Sequence, residues 1–185
     1  MLQVSQYIGG TLDTDGIRMQ VTTDYPWDGQ VVFRIEALDG VDTLQLRIPG
    51  WCRDAQVSGG SGEVLRTAAS LTLPVQAGDT VTLTLAMPIE RVYEDERVAE
   101  CRGRVCIRRG PVVYCAEACD NPGIPAEYFH ADMALPGTLS LTLGEPMPEL
   151  AGALPILGEG VRLIPYALWD NRDPGAMAVW LRETD

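Results

Sequence analysis

Lysine is absent from this 185-residue chain: the 14 basic residues are all arginine, set against 26 acidic ones, for a formal net charge of −12. A surface this acidic repels phosphate backbones, which excludes general nucleic-acid binding. The missing lysine itself reads as the codon bias of a GC-rich genome. Histidine occurs once, at His130, and no Cys-x-x-Cys occurs, so no local zinc pattern can be assembled. No apolar run approaches the roughly 18–20 residues that cross a bilayer, which argues against a membrane role. The first residues, MLQVSQYIGG, have neither the basic region nor the apolar core of a secretory signal, the expectation for a cytoplasmic protein. Helical periodicity is missing as well, with no apolar stripe sustained over about 11 residues.

What the chain does have is a period of two. Leu44, Leu46 and Ile48 alternate with Gln45 and Arg47, and Val81, Leu83 and Leu85 with Thr80, Thr82 and Thr84. Leu139, Leu141 and Leu143 alternate with Thr138, Ser140 and Thr142. Such alternation marks strands with one face on a core and one in water, and the glycines and prolines fall between the runs as turns require. The expected fold is all-β: two antiparallel, jelly-roll-like β-sandwiches in tandem. The first is expected over residues 1–88 and the second over 97–185, with the charge-dense residues 89–96 as a linker or crossing strand. Residues 120–136, with three prolines, read as a long connection, and 146–157 as an insertion. Residues 163–169 and 176–181 read as two strands of a hairpin around the polar turn 170–175, which holds Pro174 and Gly175.

Residues that could carry chemistry are few. Glycosidases need two carboxylates across the scissile bond, and the densest acids, Glu90, Glu94, Asp95, Glu96 and Glu100, read as a solvated run. Asp24 and Asp28 are loop acids beside aromatics, and Asp170 and Asp173 sit where turns favour Asp for backbone reasons. No Gly-x-Ser-x-Gly elbow surrounds a serine, and no glycine-rich phosphate loop opens a helix. Cys52, Cys101, Cys106, Cys115 and Cys119 are odd in number and read as small buried hydrophobes in a reducing compartment. No motif here carries chemistry by itself, and composition leaves a Ser–His–Asp arrangement with His130 open.

Aromatics are the more informative class. Tyr25, Trp27, Trp51, Tyr166 and Trp169 lie at strand ends and turns, beside Asp28, Asn171 and Arg172. Such rings can stack on sugars while polar neighbours bind hydroxyls, or can seal a sandwich end against another domain. Both roles stay open for Tyr25, Trp27, Asp28, Trp51, Tyr166, Trp169, Asn171 and Arg172. Trp180, between Val179 and Leu181, reads as core or interface.

Three stretches share a resemblance: Tyr25-Pro-Trp-Asp-Gly29 with Arg47-Ile-Pro-Gly-Trp-Cys52, Gly110-Pro-Val-Val-Tyr-Cys-Ala-Glu117, and the closing LIPYALWDNRDPGAMAVWL. Together they resemble the C-terminal β-sandwich region of the bacterial β-L-arabinofuranosidases of glycoside hydrolase family 127. The resemblance runs from about Tyr7 to Leu181. It implies a partner, the N-terminal (α/α)6 catalytic barrel of such enzymes, which would precede the start of this chain. The barrel would also carry the family's zinc, its cysteine nucleophile and its acid/base glutamate; none of the five cysteines here lies in a matching motif, so the resemblance carries over no catalytic residue and no metal ligand to this chain. What the resemblance implies for this chain is a non-catalytic accessory region supporting the barrel and edging its substrate cleft. The alternatives are a free-standing carbohydrate-binding module, with oligosaccharide as partner, and a homo-oligomerisation module.

Overall fold

A computed structural model describes all 185 residues as two compact units, Met1–Met87 and Pro88–Asp185. The regular structure of both is almost wholly strand, so the all-β expectation holds.

The first unit contains β1 (Leu2–Val4), β2 (Gly10–Thr14), β3 (Ile17–Thr23), β4 (Gln30–Leu38), β5 (Thr43–Arg47), β6 (Ala55–Ser58), β7 (Leu65–Arg66), β8 (Ser70–Pro74) and β9 (Thr80–Leu85). They form a four-stranded sheet, β1-β5-β8-β7, and a five-stranded sheet, β2-β3-β4-β9-β6. Every pairing is antiparallel except β1 with β5. The alternation read in the sequence decides which faces meet. Leu44, Leu46, Leu71 and Leu73 of one sheet join Val31, Phe33, Ile35, Val81, Leu83 and Leu85 of the other in one buried cluster. Between them Thr43, Gln45 and Thr72 stay partly exposed. Sheets that bury one face each against the other are the sandwich solution. Gly29 is required where β4 begins, because a Cβ there would collide with the Leu85 carbonyl oxygen of β9. The Leu85 amide in turn donates to the Gly29 carbonyl at 2.9 Å.

The second unit contains β10 (Ile89–Val92), β11 (Arg104–Arg109), β12 (Val112–Glu117), a short helix α1 (Phe129–Asp132), β13 (Ala134–Pro136), β14 (Thr142–Leu143), β15 (Ile156–Gly158), β16 (Val161–Pro165), β17 (Met177–Ala178) and β18 (Leu181–Thr184). Its nine strands form one connected sheet, a path β13-β18-β11-β12-β16-β15-β14 with β10 branching from β11 and β17 from β12, around a second core that includes Val105, Ile107, Tyr114, Ala116, Phe129, Leu135, Ile156 and Leu163. The β11–β12 hairpin is the branch point. The two strands pair with each other only next to their turn, at Arg108 with Val113 and Arg109 with Val112. Farther along, β11 pairs with β18, while β12 pairs with β16 and then with β17. Residues 89–92 belong to this unit, as β10 against β11.

Several local expectations need correction here. The stretches 163–169 and 176–181 do not form a hairpin with each other: β16 pairs with Tyr114 and Cys115, and β17 with Ala116 and Glu117. Between them run a 3-10 turn, Tyr166–Leu168, and a polar loop, too long a connection for a tight hairpin turn. Of the alternating run 138–143 only Thr142–Leu143 is a strand, and both its residues are exposed. Leu139 and Leu141 reach the core from a loop, so alternation there marks anchoring rather than a ladder. The connection 120–136 holds α1 and β13, with Phe129 fully buried. Of the five cysteines read as buried, Cys52, Cys106 and Cys115 are, whereas Cys101 is half-buried and Cys119, beyond the end of β12, is exposed.

Candidate functional site

The eight residues singled out from the sequence divide four and four between the two units.

In the first unit, Tyr25, Trp27 and Asp28 lie in the turn that joins β3 to β4. The turn is closed by backbone bonds from Trp27 and Asp28 to the Asp24 carbonyl, at 2.8 and 3.2 Å. Asp28 is exposed and its carboxylate accepts from the Gln30 amide at 2.6 Å, so it caps its own loop. Tyr25 is half-buried and meets Tyr7 edge-on, with ring centroids 5.9 Å apart. Tyr7 meets Phe33 in the same way at 6.3 Å and donates its hydroxyl to the Arg47 carbonyl. Burial pushes the Tyr7 phenol well above its ordinary pKa. Trp51 is also half-buried, and both it and Tyr25 pack on the core. A cleft of about 440 Å³ opens beside these rings, lined by Tyr7, Ile8, Tyr25, Pro26, Arg47 and Pro49 among others. Ile8 stands 71 % exposed at this cleft.

In the second unit, Tyr166, Trp169, Asn171 and Arg172 occupy the loop between β16 and β17. Tyr166 and Trp169 lie parallel within 5°, their ring centroids 6.5 Å apart. They are 45 % and 40 % exposed, high values for such large rings. Asn171 donates to the Leu168 carbonyl at 3.2 Å. Arg172 points inward instead. Its guanidinium donates to both Asp120 carboxylate oxygens, at 3.0 and 2.5 Å, and to the Glu117 carboxylate. The other Glu117 oxygen accepts from the Asp170 amide at 2.9 Å. Asp120 also faces Arg162 at 3.8 Å. These hydrogen bonds, led by that to Asp120, raise the Arg172 pKa further, and it stays charged at every accessible pH.

Three members of this cluster were not anticipated. Glu117 is only 4 % exposed at the end of the otherwise apolar β12. Asn121, equally buried, donates to the Glu117 and Arg162 carbonyls at 2.8 and 2.9 Å and accepts from the Arg162 amide at 2.9 Å. Asp120 completes the set. The sequence did hold one signal: a carboxylate closing an apolar strand requires a buried partner, because an unpaired charge there is too costly. Nothing in the sequence named Arg172 as that partner.

Glu117, Cys119 and Asp120 bring one potential metal-ligand atom each to within 4.8 Å of one another. They do not fit a zinc ion. The Arg172 guanidinium already bridges both carboxylates, and partial burial with the neighbouring acids pushes the Cys119 thiol up rather than toward the thiolate a metal needs. Cys115 behaves alike: burial, aided by Glu117, pushes its thiol up to about 12. In the dense acidic run, Glu90 pairs with Arg108 at 2.6 Å and Asp95 with Arg97 at 2.8 Å. A cleft of about 640 Å³ lies beside this run, with Tyr93, Glu94, Glu96, Arg102 and Arg104 on its walls. His130 is exposed, and only its backbone carbonyl is engaged, by Arg104 at 3.0 Å.

Comparison with known proteins is consistent across the chain. Residues 1–87 match the family model for the β-L-arabinofuranosidase GH127 middle domain, and residues 89–182 that for the glycoside hydrolase family 127 C-terminal domain. A non-reducing end β-L-arabinofuranosidase of Bifidobacterium longum subsp. longum is 32% identical over 211 aligned residues, covering 96% of this chain and 32% of that enzyme. The crystal structure of a GH127 β-L-arabinofuranosidase from Geobacillus stearothermophilus T6 superposes with a TM-score of 0.81 at 32% identity, over 98% of this chain and 33% of that one. A second GH127 β-arabinofuranosidase structure gives a TM-score of 0.81 at 27% identity, over 98% of this chain and 34% of its own. The chain spans about a third of the length of these relatives.

Proposed function

The chain belongs to glycoside hydrolase family 127, as its middle and C-terminal domains, and from that premise we propose that it is a non-catalytic accessory region of a β-L-arabinofuranosidase. In this reading its two β-units support an (α/α)6 catalytic barrel and edge the substrate cleft. The observation that carries the proposal is the state of the carboxylates. A glycosidase needs one acid free to protonate the leaving oxygen and another free to attack or to activate water. The most deeply placed acids here, Glu117 and Asp120, are tied to Arg172, and Glu90 and Asp95 to their own arginines.

The length relation supports the same reading, since relatives that carry the activity in their names are three times as long. The direct test incubates the purified chain with p-nitrophenyl β-L-arabinofuranoside and follows release of nitrophenolate. The expected result is no release above the uncatalysed rate. Turnover that survives repurification, and that falls on substitution of one of this chain's own carboxylates, refutes the proposal.

A further inference from the structure

We draw no further inference here: the strongest candidate, the cleft of about 640 Å³ beside β10 and β18 in the second unit, carries nothing, because Tyr93, Arg102 and Arg104 on its walls are already bonded to Glu183, to the Glu96 carbonyl and to the His130 and Trp180 carbonyls, and nothing in the structure shows what covers it.

Discussion

Replacing Arg172 by Ala should loosen the second unit selectively and by a predictable amount. Its side chain is 17% exposed, and it faces carboxylates that are 5% and 8% exposed. Removing one partner of a buried ion pair costs about 3–5 kcal/mol, because the other charge stays buried and uncompensated. Three features reduce that here. Glu117 keeps the Asp170 amide, Asp120 keeps Arg162 at 3.8 Å, and the Nε of Arg172 is itself buried without an acceptor. The expected loss is therefore about 2–3 kcal/mol, at or just below the bottom of that range. The chain supplies its own reporters. Cys115 is fully buried in β12, next to the cluster, and Cys52 is buried in the first unit. Thiol labelling read peptide by peptide follows opening of each unit, and where reclosing outpaces labelling the rate reports the opening equilibrium. With each 1.4 kcal/mol worth about tenfold, Cys115 should label about 30–150-fold faster in the variant. Cys52 should not change, since it lies in the other unit. A Cys115 rate within about threefold of the parent, roughly 0.7 kcal/mol, would refute the assignment of Arg172 as the anchor. Equal acceleration at Cys52 would refute the independence of the units.

Asn121→Ala should cost about 1–2 kcal/mol, because the Arg162 amide and carbonyl lose their side-chain partner while the Glu117 carbonyl keeps the Asp120 and Asn121 amides, and the urea midpoint should fall with little change in slope. Asn121→Asp should recover only part of this, keeping the acceptor for the Arg162 amide but not the two donated bonds. Alkaline pH should destabilise the second unit. Burial raises Cys106 to about 11 and Cys115 to about 12 from an ordinary 9.0, so the folded state holds protons that the unfolded state gives up. The stabilisation is complete below pH 9.0 and is lost as pH climbs toward those raised values, at about 1.4 kcal/mol per pH unit per thiol. Unfolding followed at pH 8 and pH 10 should show this fall, and Cys115→Ala should flatten it; an unchanged slope would count against burial as the cause.

Fold and site differ in how much of each is legible in the amino-acid sequence. Period-two alternation in 44–48 and 80–85 identified strands, and in the first unit it also told which side chains face inward, because a half-buried strand admits no other pattern. The same rule misread 138–143, where two leucines anchor a loop and no ladder follows. Phe129 was hidden because one turn of helix inside a proline-rich connection leaves no periodic trace. At the candidate site the residue types were visible but not their duties. Arg172 read as a surface group beside aromatics, and only its reach to Glu117 and Asp120, more than fifty positions away, turned it into an anchor.

The sequence by itself determined the strand-forming pattern, the all-β class and the family, because side-chain periodicity and local motifs are properties of neighbours along the chain. Tertiary structure alone decided what lies beside what. The closing stretch illustrates the difference: its two apolar runs looked like partners for each other, yet both pair with β12. Strand pairing is a contest among all available edges. Here the central strand offers backbone partners to both runs and a buried carboxylate to the loop between them, an advantage that no local reading of that loop contains.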